Sequence, residues 1–162
     1  MNVAVAGTGY VGLVTGVALA HIGHNVTCVD VDENKIEIMR SGKSPIYEDG
    51  LEELMNEDKE RLAYTTDYKM AYKDADVIFI GVGTPERIDG SANLDYVKTV
   101  VRQIAETVEK DVVVVVKSTV PIGTNDKVEE YLKKNVKKGL KVYVASNPEF
   151  LAQGTAVRDT LY

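Results

Sequence analysis

Apolar positions along the chain follow two alternating spacings. Short β-branched or apolar runs occur at Val3–Ala6, Val26–Val29, Val77–Val82, Val112–Val116 and Val142–Ala145, with a weaker one at Leu62–Thr65. These runs are nearly continuous rather than in/out, as expected for parallel strands covered on both faces. Between them, helical spacing extends over Val11–Ile22, with Val11, Val14, Ala18 and Ile22 on one face. It returns over Glu33–Arg40, Leu51–Lys59, Leu94–Glu109 and Asn125–Val136. The alternation predicts an α/β architecture: a doubly wound, mainly parallel six-stranded sheet with helices on both faces. The expected strand order is 3-2-1-4-5-6, with ligands at the carboxyl ends of the strands where that order reverses.

Turn chemistry fits this division. Ser41-Gly42 and Asp89-Gly90 break the pattern, Lys138-Gly139 is a helix stop, and Ser44-Pro45 and Val120-Pro121 disfavour helix before each proline. Phe150–Tyr162 offers no strand or helix terminator and reads as a polypeptide cut in mid-course. Residues 1–162 are accordingly expected to be one domain, the N-terminal fragment of something longer.

Composition narrows the classes. The 162 residues are 44% apolar and carry a formal charge of −6, so nucleic acid and anionic membrane surfaces are disfavoured partners. A single cysteine makes neither an internal disulfide nor a cysteine-based metal site, and no metal is expected. No apolar run approaches the roughly 18 residues of a membrane span, and the N-terminus lacks the basic start of a signal peptide. The expected compartment is the cytoplasm.

The chemistry begins at Gly7-Thr8-Gly9-Tyr10-Val11-Gly12, directly after an apolar strand and opening an apolar helix. In such a run Gly7 permits the sharp turn, Gly9 lets backbone approach a pyrophosphate, and Gly12 lets helix and sheet pack closely. The phosphates would rest on free amides at the helix N-terminus, where the macrodipole is positive. Asp30 ends the second strand at about the 20-residue spacing at which an acid accepts the adenosine ribose hydroxyls. A carboxylate there repels a 2′-phosphate, so the expected cofactor is NAD rather than NADP. Together these features define a Rossmann-type dinucleotide domain. Lys35, a helical turn on, reaches toward the adenosine side. Cys28 sits inside an apolar strand and reads as a small buried hydrophobe, and His21 and His24 take no role.

Segments at three further strand ends face the same edge: Gly81–Pro85, Lys117–Thr124 and Ser146–Leu151. Small hydroxyl residues beside glycines leave room for a nicotinamide ring and offer hydrogen bonds to its carboxamide and ribose.

With these residues laid out, the chain resembles the NAD-binding domain of the UDP-glucose/GDP-mannose dehydrogenase family along its whole length. The motifs are Gly7–Leu13, Val29–Asp32, Lys43–Glu48, Gly83–Pro85, Asp89-Gly90, Lys117–Gly123 and Asn147–Leu151. The resemblance implies a Rossmann fold and oxidation of a nucleotide sugar's C6 alcohol to a carboxylate, with NAD used twice in succession. It implies NAD binding by Gly7, Gly9, Tyr10, Val11, Gly12, Asp30, Lys35, Thr84, Pro85, Ser118, Thr119 and Gln153. It places Glu149, Phe150, Leu151, Ala152 and Gln153 on the substrate side. Thr119 and Glu149 would be catalytic, orienting and activating water for hydrolysis of a thioester, a step that needs a positioned water and a general base.

Two positions depart from the family pattern: Asp49 stands where proline is usual and Gln153 where glutamate is usual, and glutamine cannot act as a base. The family's nucleophilic cysteine and catalytic lysine lie beyond the stretch matched by this chain, and Cys28 falls on strand interior. The chain is therefore expected to bind NAD(H) without completing the oxidation. The substrate read from the resemblance is UDP-glucose, with GDP-mannose the alternative. A dinucleotide sensor without chemistry of its own, and a dehydrogenase of hydroxy acids or hydroxyacyl thioesters, are further readings. A longer protein of this kind is expected to be a homodimer and this chain by itself a monomer or weak dimer.

Overall fold

Valine-rich runs at both the start and the middle of the chain become the centre of one sheet. The computed structural model describes Met1–Tyr162. Strands β1 (Asn2–Ala6), β2 (Asn25–Val29), β3 (Leu62–Thr65), β4 (Val77–Ile80), β5 (Val112–Val116) and β6 (Val142–Ser146) form a six-stranded sheet in the order β3-β2-β1-β4-β5-β6. Every pairing is parallel, with Val5 opposite both Cys28 of β2 and Phe79 of β4. The expected order and strand direction are those observed. The fourth strand ends at Ile80 rather than Val82, because Gly81 already turns away.

Side-chain alternation sends each strand into two layers. Ala4, Ala6, Ile78, Ile80 and Val114 pack on one face against Val101 and Ile104 of α5 (Asp95–Thr107) and Leu132 of α6 (Thr124–Asn135). Val3, Val5, Val26 and Cys28 pack on the other against Ala20 of α1 (Tyr10–His21). Beyond α1 lies a further apolar cluster joining Leu13, Val14 and Val17 to residues of α2 (Glu33–Arg40), α3 (Leu51–Glu57) and α7 (Ala156–Leu161). α1 is thus covered on two sides, which corrects its expected single apolar face. Leu13, Val14, Val17, Ala18 and Ala20 are all buried around its circumference, whereas Ile22 lies just past the helix end and is 62% exposed.

Two helices escaped the periodicity. α4 (Tyr68–Lys73) has six residues, too few for a period, and is started by Asp67, whose side chain accepts from the Lys69 and Met70 N–H groups. α7 lies in Phe150–Tyr162, where the sequence offers no terminator and no element is read; it is anchored by Ala156, fully buried beside Leu13 and Leu51. The stretch read as one helix over Leu51–Lys59 divides into α3 and a turn of 3-10 helix at Lys59–Arg61. Cys28 is completely buried, and burial pushes its thiol up to about 12, so the strand-interior reading of it stands. No helix is long and apolar enough to cross a membrane.

Candidate cofactor site

The turn from β1 into α1 is built on close backbone approach. Gly7 has φ +93°, and its N–H donates to the Val29 carbonyl at 2.8 Å. A Cβ on Gly12 would lie 2.0 Å from the Gly7 carbonyl oxygen, and one on Gly81 would lie 3.0 Å from the Gly12 Cα. Gly7, Gly12 and Gly81 therefore hold the tip of α1 against the end of β4 at a distance that excludes any side chain. Gly9 is different: it has φ −68° and ψ −173°, which any residue adopts, and a Cβ there meets nothing within 4 Å. The chain's own packing gives no reason for a glycine at this position. Gly83 is likewise unhindered, so of the glycine pair after β4 only Gly81 serves the fold.

Free donors surround Gly9. α1 has no side-chain cap, and its first closing bond is Leu13 N–H to the Gly9 carbonyl at 3.0 Å. The N–H groups of Gly9, Tyr10, Val11 and Gly12 thus have no partner in the chain. At a helix N-terminus they form an anion-binding end with a positive dipole.

Asp30 faces this end. Its Oδ2 accepts from Thr8 N–H at 2.9 Å and Thr8 Oγ1 at 2.5 Å, and its Oδ1 accepts from Asp32 N–H at 3.0 Å. Burial alone would raise its pKa. The hydrogen bonds from Thr8 and Asp32, with the charge of Lys35, outweigh this and hold the carboxyl below the usual range. A carboxylate offers about four acceptor directions; three are used internally, which leaves one, on Oδ1, for a ribose hydroxyl. The pair of hydroxyl contacts expected from sequence thus requires Thr8 to release Oδ2. Thr8, fully buried between two glycines, is a partner that sequence reasoning missed.

Gly7, Gly9, Asp30 and Lys35 line one cleft of about 310 Å³, together with Gly83 and Tyr96, where the strand order reverses between β1 and β4. The adjoining rim comes from the loops after β4 and β5. Thr84 Oγ1 donates to the Thr119 carbonyl at 2.9 Å and Ser118 Oγ to the Val82 carbonyl at 2.6 Å, so the two loops are tied to each other. Pro85 and Thr119 stay exposed on this rim, and Val11 is half-buried in the first turn of α1. Half-buried Lys117 donates to Asn147 Oδ1 at 3.3 Å and links β5 to the loop after β6; burial pulls its pKa down, partly offset by Glu149.

Tyr10 and Gln153 do not line that cleft. They border a separate open depression with Ile46, Tyr47 and Gly154. Within the segment after β6, Glu149 Oε2 accepts from Leu151 N–H at 2.6 Å, and Leu151 packs onto the apolar cluster of α1 and α3. Phe150, Ala152 and Gln153 are exposed. Sequence reasoning also missed Glu48. It is only 6% exposed, yet it accepts hydrogen bonds from Tyr10 and from the backbone N–H groups of Gly154 and Val157.

The donor set fits NAD: unpartnered amides for the pyrophosphate, an unobstructed Gly9 beside them, an ionised acid for the ribose and a cleft at the reversal of strand order. Fold and site together define a dinucleotide-binding domain of the Rossmann type. The chain belongs to the UDP-glucose/GDP-mannose dehydrogenase family, whose NAD-binding domain matches residues 1–162. It is 51% identical over 164 residues to UDP-glucose 6-dehydrogenase YwqF of Bacillus subtilis, covering 100% of this chain and 37% of that protein. Among solved structures, a UDP-glucose dehydrogenase from Pyrobaculum islandicum superposes with a TM-score of 0.90 at 40% identity, over 97% of this chain and 38% of that one. A GDP-mannose dehydrogenase from Pseudomonas aeruginosa, solved as a ternary complex, gives 0.90 at 43% identity, over 98% and 38%. The chain thus spans well under half the length of these relatives.

Asp30→Asn tests the ribose contact. An amide accepts on one atom only, so one of the donors on Asp30 is orphaned and the turn loosens somewhat. The diagnostic quantity is therefore the ratio of NAD to NADP affinity. NAD binding is expected to weaken by roughly 1–3 kcal/mol, the scale of a hydrogen bond to a charged group, while repulsion of the 2′-phosphate also falls. Calorimetry on both cofactors that returns an unchanged ratio removes Asp30 from the ribose site.

Proposed function

We propose that this chain is the NAD-binding part of an enzyme that oxidises UDP-glucose at C6 to UDP-glucuronate with two NAD, and that by itself it binds NAD(H) without completing that oxidation. Gly9 carries the reading: it is a glycine that the chain's packing does not require, set among four unpartnered amides and next to Asp30. Bound NAD supplies a hydride acceptor. The chain supplies the grip: amides of Gly9–Gly12 for the phosphates, Asp30 and Lys35 for the adenosine side, and Thr84, Pro85, Ser118 and Thr119 for the nicotinamide end.

Thr119 keeps its hydroxyl free, since only its carbonyl is engaged. Glu149 keeps Oε1 free while Oε2 is held by Leu151 N–H. These two groups would orient water and accept its proton, and Phe150, Leu151, Ala152 and Gln153 would border the sugar nucleotide. Gln153 takes part by hydrogen bonding only. The one cysteine is sealed within β2 and serves no nucleophilic role. The longer protein would act as a homodimer in the cytoplasm.

GDP-mannose is the second substrate reading, favoured by the Pseudomonas aeruginosa structure at 43% identity. The identity of 51% to a UDP-glucose 6-dehydrogenase supports UDP-glucose. Calorimetric titration of the chain with NAD, NADP, UDP-glucose and GDP-mannose tests both, with absorbance followed for NADH. NAD is expected to bind, and NADP to bind at least about tenfold more weakly. No NADH is expected to form with either sugar nucleotide. Absence of NAD binding overturns the reading; sugar-dependent NADH formation overturns the claim that the chain by itself is inactive.

A further inference from the structure

Glu48 is a buried acid that cofactor binding does not use. A buried carboxylate is costly unless it is hydrogen-bonded, and at 6% exposure Glu48 sits beside an apolar cluster where a hydrocarbon side chain would pack more cheaply. Both of its oxygens are instead held by distant parts of the chain. Oε2 accepts from Tyr10 Oη at 2.5 Å and from Gly154 N–H at 2.7 Å, and Oε1 accepts from Val157 N–H at 3.4 Å. The Ala152 carbonyl lies 2.9 Å from the same Tyr10 hydroxyl, whose one proton is committed to Glu48. Burial and the Glu48 charge together push that hydroxyl up to about 12, so it remains a donor at neutral pH.

The positions of these partners matter. Tyr10 opens α1, and its own N–H is one of the unpartnered amides that would meet a phosphate. Gly154 directly follows Glu149–Gln153, the segment assigned above to the substrate side. Glu48 itself is fixed from behind: its carbonyl accepts from Leu51 N–H at 3.2 Å at the start of α3, and Leu51 is fully buried. A rigidly held carboxylate therefore spans the turn that grips the cofactor and the segment that borders the sugar.

We propose that Glu48 is a positioning residue: it sets the place of Glu149–Gln153 against the tip of α1 and carries cofactor occupancy from Tyr10 across to that segment. The proposal rests on the reading that Gly7–Gly12 hold NAD. Its action is on geometry, through Tyr10 and Gly154, and it touches neither cofactor nor sugar.

Amide NMR of the chain with and without saturating NAD tests this, with Glu48→Gln and Tyr10→Phe each brought to its own saturation. In the parent chain, NAD is expected to shift the Gly9–Gly12 amides and also those of Gly154 and Val157. In both variants the shifts at Gly154 and Val157 are expected to fall by at least about half relative to those at Gly9–Gly12. Amide exchange at Gly154 and Val157 without NAD is expected to speed up about tenfold in Glu48→Gln, the scale of a lost charge-assisted bond. A purely structural tie accelerates exchange but leaves the transmitted shifts unchanged. Shifts at Gly154 and Val157 that match in all three proteins overturn the proposal while leaving NAD binding in place. If NAD moves no amide at Gly9–Gly12 in the parent, the functional reading itself fails and the proposal goes with it. Should Glu48→Gln not fold, Tyr10→Phe, which deletes a single oxygen from a half-buried ring, decides the question.

Discussion

Gly9→Val is expected to abolish NAD binding while leaving the fold intact. The backbone there is extended and unstrained, and a Cβ meets no atom of the chain within 4 Å. The stability cost is limited to replacing a fair N-cap residue by a poor one, about 1 kcal/mol or less. A branched side chain would instead project into the space over the free amides. Losing even two charge-assisted hydrogen bonds to phosphate costs roughly 3–6 kcal/mol, or more than about a hundredfold in affinity. Calorimetry and a thermal melt on the same sample separate the two effects. Undiminished NAD affinity places the cofactor elsewhere; a collapsed melting temperature shows that Gly9 serves the fold after all.

Gly12→Ala is expected to damage both folding and binding, although only a methyl group is added. In a helix interior, glycine to alanine ordinarily stabilises by about 1 kcal/mol. Here the new Cβ would sit 2.0 Å from the Gly7 carbonyl oxygen and 3.0 Å from its carbon. Both are backbone atoms of a turn fixed by the Gly7 N–H bond to Val29 and by contact with Gly81, so neither moves without displacing α1 or β4. The expected net destabilisation is about 3 kcal/mol or more, a large share of the roughly 5–15 kcal/mol that holds a domain together. Chemical denaturation measures it. A variant as stable as the parent contradicts the packing described for the three glycines. Two glycines of one motif thus separate: the packing of the fold requires Gly12 and leaves Gly9 unconstrained.

The strands, their parallel direction and their order are legible in sequence because buried parallel strands leave runs such as Val112–Val116 that nothing else in a globular chain needs. The glycine motif and Asp30 are legible for a related reason: their spacing is imposed by the ligand expected there. The helices α4 and α7 are not legible, being too short for a period; one is made by a capping Asp67 and the other by Ala156 filling a gap beside α1. The burial of α1 is not legible either, because a second layer covers what would otherwise be its solvent side.

The sequence by itself determined the doubly wound architecture, the edge of the sheet at which the glycine motif and Asp30 gather and the family of the chain. All three depend on local patterns and on motifs that keep their spacing wherever they occur. Only the tertiary structure decided which glycine of the motif has no neighbour, that Thr8 already occupies one oxygen of the Asp30 carboxylate, and that Glu48 joins residues near both ends of the chain. These depend on distances between segments remote in sequence, which are set by how the layers pack.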